Sequence, residues 1–594
     1  MRVAIVGGNL TGCATAWLLE KSYTDLRKEY ELQARYQEDD SDVLPPPPEH
    51  FKVTIFEKRP VLGGNKMQTE VIEDVAVEAG RHSTLHSDGV YVGEVLDQMS
   101  SEIELDRFWL EGTGYHSVRS FAIYDADNSQ YAFRHAGYWG LDILKVVASS
   151  IFTRLLLLVG CGFALYHGRF EMSGLARLKT IAAALLIFFS LVLFPQRFLS
   201  RVNRSFAFWS SAIVGLMTYG TTAALSRGAS KGFTDHFKAM LKANATTKSI
   251  TLGHLFNRCG LGSYCSTDAE SAFRSFKFLP AFVKHYSDTQ LQVDNANSQL
   301  AAKDVSTLAA MLCQQRADVS EGDKVLRIRG GNAKLCEALG RGSRQMLNAE
   351  VVKIKKSSTE EIKSGKPVYT LSYKIPAQTE PVEEEFNGIV LACSPNMEEL
   401  TFETPGIDSS GDVFGYTKEI LTTQTLGNRS RWLALVGGTL NHRYLGHLIA
   451  DTVPDMILST SGKDWLKIEC VAESKKGKIW SVICTEEPKA GKGLIAELFT
   501  DVREMKVRER SQPRYKPREF INGVDGNDVP SLILGTRFIN AAGMDRLSCD
   551  PETDIISAWN AASLFSVGVN WMEEREEEGE EEEFYNAPVD ELTS

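Results

Sequence analysis

Cysteine is sparse in this 594-residue chain, and its ten thiols fall without metal-ligand spacing. That excludes a small disulfide scaffold and leaves no zinc-type ligand set. Cys259 and Cys265, bracketing Gly-Leu-Gly-Ser-Tyr, are the one pair close enough to suggest a local disulfide, with free buried thiols as the alternative. A basic stripe interleaved with aromatics is also missing, so no nucleic-acid partner is expected. Neither a Ser/His/Asp order nor a phosphate-loop lysine points to acyl or phosphoryl transfer. No cleavable signal peptide is evident, because Met1 and Arg2 lead directly into a short apolar run that stops at glycines. Asn203, Asn244 and Asn428 open glycosylation-type triplets, but such triplets recur by chance and establish no secretory route.

What the chain does have is apolar bulk and localised charge. Hydrophobic residues make up 43% of it. That is enough for roughly two to four domains or one interleaved pair. The formal net charge is −12, and much of the surplus lies between Glu573 and Glu583, so residues 571–594 read as a solvated, disordered acidic tail.

The N-terminal segment from Arg2 to Leu19 reads as a buried strand, a glycine turn and a helix that begins at the turn. This arrangement seats a dinucleotide pyrophosphate: Gly7 permits the tight turn, Gly12 lets helix pack on strand, and the helix start offers N–H groups to phosphate oxygens. Gly8 and Asn9 lie between them. Asn9 replaces the glycine that would let the backbone approach the pyrophosphate, and its side chain is expected to take up space beside the phosphates. Asn9→Gly is therefore expected to tighten cofactor binding. The second strand, Phe51 to Glu57, comes late, after a polar segment from Tyr23 to His50 that contains Pro45 to Pro48 and reads as an inserted surface loop. Glu57, at the strand end, is the candidate for the ribose hydroxyls.

From Glu57 the sequence runs Lys58-Arg-Pro-Val-Leu-Gly63-Gly64, and further on Val77-Glu-Ala-Gly80-Arg81-His82-Ser83. Both stretches resemble FAD-binding oxidases of the amine-oxidase type, in which the paired glycines and the later segment run beside the cofactor. His82 and His86 are read as hydrogen-bonded structural residues. Three more stretches extend the likeness: Arg329-Gly330-Gly331-Asn332-Ala-Lys334-Leu335, Ala349-Glu-Val-Val352 and Asn387-Gly-Ile-Val-Leu-Ala392-Cys-Ser-Pro395. Gln512-Pro-Arg-Tyr515-Lys-Pro517 and Phe538-Ile-Asn-Ala-Ala-Gly543-Met544, followed by Ala558-Trp-Asn560, complete it. In this order they resemble the prenylcysteine oxidase (prenylcysteine lyase) family. The resemblance implies FAD held by Gly7, Gly8, Asn9, Gly12, Glu57, Lys58, Gly63, Gly64, Gly80, Arg81, Gly330, Gly331, Asn332, Val352, Gly543 and Met544, with Val352 on the strand closing over the adenine. Two departures bear on the substrate. The family's Asn-Tyr-Gly-Gln stretch is at best Val293-Asp-Asn295-Ala-Asn297-Ser-Gln299, without its tyrosine, and Asn65 follows Gly64 where an arginine is common.

The fold expected is α/β, a Rossmann-like FAD domain of amine-oxidase type interleaved with a mixed α+β substrate domain and an inserted apolar helical block. The FAD domain would comprise residues 1–92, 325–400 and 530–570. Residues 93–140 and 401–529 would form the substrate domain, and 229–324 a helical, lyase-like region. Val368 to Tyr373 and Glu383 to Leu391 suit a small antiparallel meander.

Residues 141–228 depart furthest from that family. Ile151 to Tyr166 is apolar but for Arg154, and neither Thr180 to Phe194 nor Ser205 to Leu225 holds a charge. Cations separate the runs at Arg169, Arg177 and Lys179, at Arg197, Arg201 and Arg204, and at Arg227 and Lys231. Because the cofactor domain draws on chain from both sides, only an even number of crossings keeps it on one side of a bilayer. Two spans with a re-entrant segment, a monotopic platform, or a set of buried core helices are the readings open. The expected location is an endomembrane or a lysosome-like compartment.

The activity implied by the resemblance is FAD-dependent cleavage of farnesyl- or geranylgeranyl-cysteine to cysteine, an isoprenoid aldehyde and hydrogen peroxide, in breakdown of prenylated proteins. Oxygen is the electron acceptor, and membrane lipid is the source of the isoprenoid thioether. No side-chain nucleophile is required. The alternatives are a membrane flavin oxidase or desaturase acting on another lipid, and a membrane scaffold that has lost FAD, for which Asn9 is the best argument.

Overall fold

The computed structural model describes residues 1–36, 47–80, 85–86, 90–106, 121–125, 130–135, 267–294, 301–308, 325–358, 367–376, 378–393, 400–403, 428–446, 453–460, 464–513, 532–535, 537–542 and 551–575, with isolated positions between 219 and 311 and at 362. The apolar block lies almost wholly outside these residues, as do His82, Arg81, Gly543, Met544, Cys259 and Cys265. Among the described residues no helix is long and apolar enough to cross a membrane.

The first strand, Arg2–Val6, is apolar after its first residue because both of its faces are covered. Val3 and Ile5 join a helical layer, while Ala4 and Val6 join a second sheet. Around it forms a six-stranded sheet in the order Arg344–Leu347, Lys52–Glu57, Arg2–Val6, Gly388–Leu391, Phe538–Asn540, Ile533–Gly535. The first five run parallel and the last antiparallel, with Val3 paired to Val53 on one side and Gly388 on the other. Strands far apart in sequence are thus neighbours in space, and the cofactor-type sheet is interleaved.

The first helix, Leu10–Tyr36, packs on one face of this sheet through Leu10, Cys13, Ala14, Ala16 and Leu19, all buried. It continues well past Tyr23, where the sequence suggested a loop. The reason is local: no glycine or proline interrupts this stretch, and Arg27–Glu31 (3.1 Å) and Lys28–Asp25 (3.6 Å) sit at helical spacing. Its outer turns are also tied back, because Tyr23 stacks on Phe51 at 4.8 Å and donates to Pro48 O at 2.6 Å. The C-terminal helix, Pro551–Arg575, packs beside it and extends five residues into the segment expected to be a disordered tail; Gly579 is the first helix-breaking residue there.

The other face carries a four-stranded sheet, Val382–Phe386, Tyr369–Lys374, Glu350–Lys356 and Thr401–Glu403. Phe56 anchors it, 4.9 Å from Tyr373 and 5.7 Å from Phe386 between ring centroids. The expected meander strand from Glu383 to Leu391 is split at Asn387: its second half, uncharged and buried, crosses into the parallel sheet. A seven-stranded sheet, Phe499–Pro513, Asn428–Leu440, Gly477–Cys484, Trp465–Ser474, Met456–Ser459, Phe121–Asp125 and Gln130–His135, forms the second large unit.

A hairpin, Thr69–Ile72 and Val75–Glu78, joins the two units. Its apolar face shares a core with Leu433, Leu435 and Leu458 of the seven-stranded sheet. Its tip places Glu73 against Gly437, where a Cβ would come within 2.6 Å of the carboxylate. Arg503 Nε donates to Glu73 at 2.7 Å, Ser474 donates to the other oxygen, and the Glu73 N–H donates to Glu504 at 2.8 Å. The Arg503 guanidinium lowers the pKa of the Glu73 carboxyl, so it stays charged in this niche.

Candidate active site

The Gly7–Gly12 turn and Glu57 stand at the carboxyl ends of parallel strands, the position where open α/β sheets bind ligands. Gly7, directly after the first strand, holds φ +108°, and a Cβ there would lie 2.8 Å from Cys393 Cβ at the end of the neighbouring strand. Gly12 sits against the turn itself, with a Cβ position 1.9 Å from Gly7 O. Any side chain at Gly12 would push the helix off the sheet.

Glu57 is buried and turned toward this loop. Its Oε2 accepts the Gly8 N–H at 2.8 Å and its Oε1 accepts the Arg59 N–H at 3.0 Å. Burial raises its pKa, and the two backbone donors and the Arg59 charge oppose that rise. Lys58 pairs with Glu350, and with Val352 these residues line an open groove of about 790 Å³ just beyond the strand end. The strand bearing Val352 is fixed there because Ala349 N–H donates to Glu57 O at 2.9 Å.

Asn9 differs from expectation. It is buried, and its Oδ1 accepts the Gly12 N–H at 3.0 Å while its Nδ2 donates to Ala392 O at 2.7 Å. Asn9 is thus the N-cap of the first helix, bonded to the third helical residue and to the neighbouring strand end. The side chain is committed inward to the protein, so it does not occupy the phosphate side of the turn.

Gly63 and Gly64 form a tight turn over the same loop: Gly63 N–H donates to Gly8 O at 2.7 Å, and a Cβ on Gly64 would lie 3.1 Å from Asn9 Cβ. Arg59 supports this turn by donating to Gly64 O at 3.2 Å and Gln68 Oε1 at 3.1 Å, and it also pairs with Asn65. Gly80 presses on the preceding residues, its Cβ position 2.2 Å from Lys66 O. Gly330, Gly331 and Asn332 meet the hairpin: a Cβ on Gly331 would lie 2.1 Å from Thr69 Oγ1, and Asn332 N–H donates to Glu78 at 2.8 Å.

Sequence reasoning missed four polar residues that hold these pieces together. Arg59 and Glu78 are two, and Glu78 also accepts from Thr69 at 3.3 Å. The others are Lys66 and Asp554, whose charged groups meet at 2.7 Å below the surface. A signal existed only for Arg59, which lies two residues after Glu57; pairs separated by hundreds of residues leave none in a single sequence. Behind the turn, the Cys13 thiol donates to Gly8 O at 3.3 Å. Its hydrogen bond with Cys336 and its burial raise its pKa well above the usual thiol value, so it remains protonated.

No family model matches the chain, and no curated protein matches it. Among solved structures, a double mutant of putrescine oxidase, made to redesign cofactor binding, matches over 95% of this chain and 99% of its own, at 12% identity and TM-score 0.50. A single mutant of the same oxidase matches over 96% and 99%, also at 12% identity and TM-score 0.50. Cyclohexylamine oxidase from Brevibacterium oxydans IH-35A matches at 10% identity, covering 96% and 99%, with TM-score 0.48. At 12% identity the likeness is one of fold alone, that of putrescine oxidase.

Proposed function

We propose that the chain is an FAD-dependent oxidoreductase. The observation that carries this reading is the convergence of Gly7, Gly12, Glu57, Gly63 and Gly64 at one end of one sheet, with no room for a Cβ at Gly7, Gly12 or Gly63. The residues present fit the cofactor. The first helix opens at the turn with Leu10 and Thr11, whose N–H groups have no partner within the helix, Glu57 offers a carboxylate beside the turn, and Lys58 and Val352 flank a groove where an adenine can lie. When bound, FAD supplies a two-electron acceptor whose electrons can pass on to oxygen. Asn9 does not argue for a lost cofactor, since its side chain caps the helix.

Within that class, the favoured reaction is oxidative cleavage of an isoprenoid thioether: the C–H bond next to sulfur is oxidised and water adds at that carbon. The carbon–sulfur bond then breaks, so that prenylcysteine, water and oxygen give cysteine, an aldehyde and hydrogen peroxide. The resemblance of Arg329–Leu335, Asn387–Pro395 and Phe538–Met544 to prenylcysteine oxidases supports this substrate. The protein's part is to bind the cofactor, to orient the thioether against it and to admit the one water that adds. The apolar block at 141–228 is proposed to hold the enzyme at an endomembrane, where an isoprenoid chain partitions at about 0.8 kcal/mol per buried CH₂.

The test is the visible spectrum of the full chain purified in detergent. A yellow protein bleached anaerobically by farnesylcysteine, and releasing peroxide when oxygen is admitted, is the expected result. A colourless, FAD-free protein sinks the reading; a yellow one indifferent to farnesylcysteine but bleached by an amine moves the substrate to the amine class.

A further inference from the structure

One buried ion pair joins three segments of the site that are distant in sequence. Lys66 Nζ lies 2.7 Å from Asp554 Oδ1, with the two side chains 6% and 0% exposed. The same ammonium is 3.4 Å from Thr11 Oγ1. Thr11 belongs to the first turn of the first helix and Asp554 to the first turn of the C-terminal helix. The lysine backbone is itself held, since its N–H donates to Gly63 O at 3.2 Å and Gly80 packs on its carbonyl. The C-terminal helix is tied at the same end by Glu552, whose Oε1 accepts the Val92 N–H at 3.0 Å.

The order of strands gives this pair a direction. Glu57, the ribose candidate, stands on one side of the first strand, and Gly388–Leu391 and Phe538–Asn540 stand on the other. A dinucleotide whose adenosine lies at Glu57 must extend across those strands toward the start of the C-terminal helix. Few of the turn's own donors remain for it: Gly7 N–H goes to Phe56 O, Gly8 N–H to Glu57 and Gly12 N–H to Asn9. The far half of the cofactor therefore depends on where the second helix start is placed.

We propose that Lys66 and Asp554 form a strut that sets the start of the C-terminal helix against the start of the first helix, and so seats the flavin half of the cofactor. The proposal rests on the FAD reading and assigns the pair a positioning role. The adenine half is held by the first helix and Glu57 without the strut. Removing one partner deletes the 2.7 Å contact between the two segments and leaves the other group buried with one charged partner fewer, so the two helix starts are no longer held at that distance.

The experiment compares FAD and ADP binding to the full chain stripped of cofactor, using the unmodified protein, Lys66→Met and the isosteric Asp554→Asn. Both variants are expected to bind FAD at least about tenfold more weakly while binding ADP within about threefold of the unmodified chain. FAD affinity unchanged in Asp554→Asn overturns the strut. Equal losses for FAD and ADP overturn it too, because they mark a general structural role. If the unmodified chain binds neither ligand, the cofactor reading falls and takes the strut with it.

Discussion

Replacing Asn9 by glycine would restore the usual glycine pattern of the turn, and sequence alone predicts tighter FAD binding. The structure predicts the opposite order of effects. The substitution deletes the Asn9 Nδ2 bond to Ala392 O at 2.7 Å and the cap bond from Gly12 N–H at 3.0 Å. Glycine is itself an acceptable N-cap, so losing the asparagine cap costs only a few tenths of a kcal/mol. The greater cost comes from the buried Ala392 carbonyl, which is left without that donor, about 1–3 kcal/mol. Against it stands one freed N–H, that of Gly12, worth about 0.5–1.5 kcal/mol if it found a phosphate oxygen. That amide points at Asn9, within the protein, so little of this gain is realised. The cofactor-free protein should lose about 2 kcal/mol, read as a lower denaturation midpoint, and FAD affinity should be unchanged or weaker. Asn9→Asp separates the two bonds: it keeps the cap acceptor, loses the donor to Ala392 O and adds a negative charge beside the phosphates. It should bind FAD more weakly than Asn9→Gly. Unaltered stability together with tighter FAD binding in Asn9→Gly would refute this account of the turn.

Glu57→Ala removes a carboxylate that accepts two backbone N–H groups, and FAD affinity should fall by about two orders of magnitude in a fluorescence titration. Glu73→Ala breaks the clamp between hairpin and seven-stranded sheet and should cost about 2–3 kcal/mol in denaturant unfolding at neutral pH. Because Arg503 holds the Glu73 pKa below its unfolded value, the clamp's contribution is present above the ordinary glutamate pKa and is lost as pH falls through the depressed folded value. The cost of Glu73→Ala should therefore shrink in acid, and a pH-independent cost would contradict the ion pair. Asp288 has the reverse sign. Burial raises its pKa from 3.8 to about 6, so ionisation penalises the folded state as pH rises through that window. Asp288→Asn can still accept the Ala302 N–H, bonded at 2.8 Å, and should stabilise the protein at about pH 7.5 but not at about pH 4. Equal effects at both pH values would exclude a buried, titrating Asp288.

The parts of the site legible in the sequence are those written in short contiguous stretches. Gly7 to Gly12 follows an uninterrupted apolar strand and Glu57 closes another, so local chemistry places them, whereas Gly63-Gly64 and Gly330-Gly331 are marked by their resemblance to flavoprotein motifs. The interleaved sheet is expected from the resemblance to the prenylcysteine oxidase family, whose motifs recur in order along the chain, and the structure buries Gly388–Leu391 and Phe538–Asn540 beside the first strand. Errors arose where tertiary contacts decide. The stretch after Tyr23 looks like a loop because it is polar, yet helical-spacing ion pairs and a Tyr23–Phe51 stack keep it helical. Size alone makes Asn9 an obstruction in the sequence; its cap to Gly12, three residues on, is legible there as an asparagine before a helix, but its bond to Ala392, 383 residues away, leaves no trace.

The bonding of Asn9 bears on how this fold keeps a cofactor cleft with an altered turn. A glycine at position 9 would leave the end of the neighbouring strand tied to the first helix only through backbone, whereas asparagine adds a side-chain bridge from helix start to strand end. Lys66 does the same for the two helix starts, and Glu78 for the hairpin and the Gly330–Asn332 turn. Each bridge joins segments separated by more than 250 residues. An interleaved cofactor domain needs such ties because no single stretch of chain supplies its own site. If that is their purpose, removing Lys66 or Glu78 should weaken FAD binding more than it weakens binding of ADP, which the first helix and Glu57 hold nearly alone. Asn9→Gly, which changes the cap of the first helix itself, should instead show no such preference, whatever FAD affinity it retains.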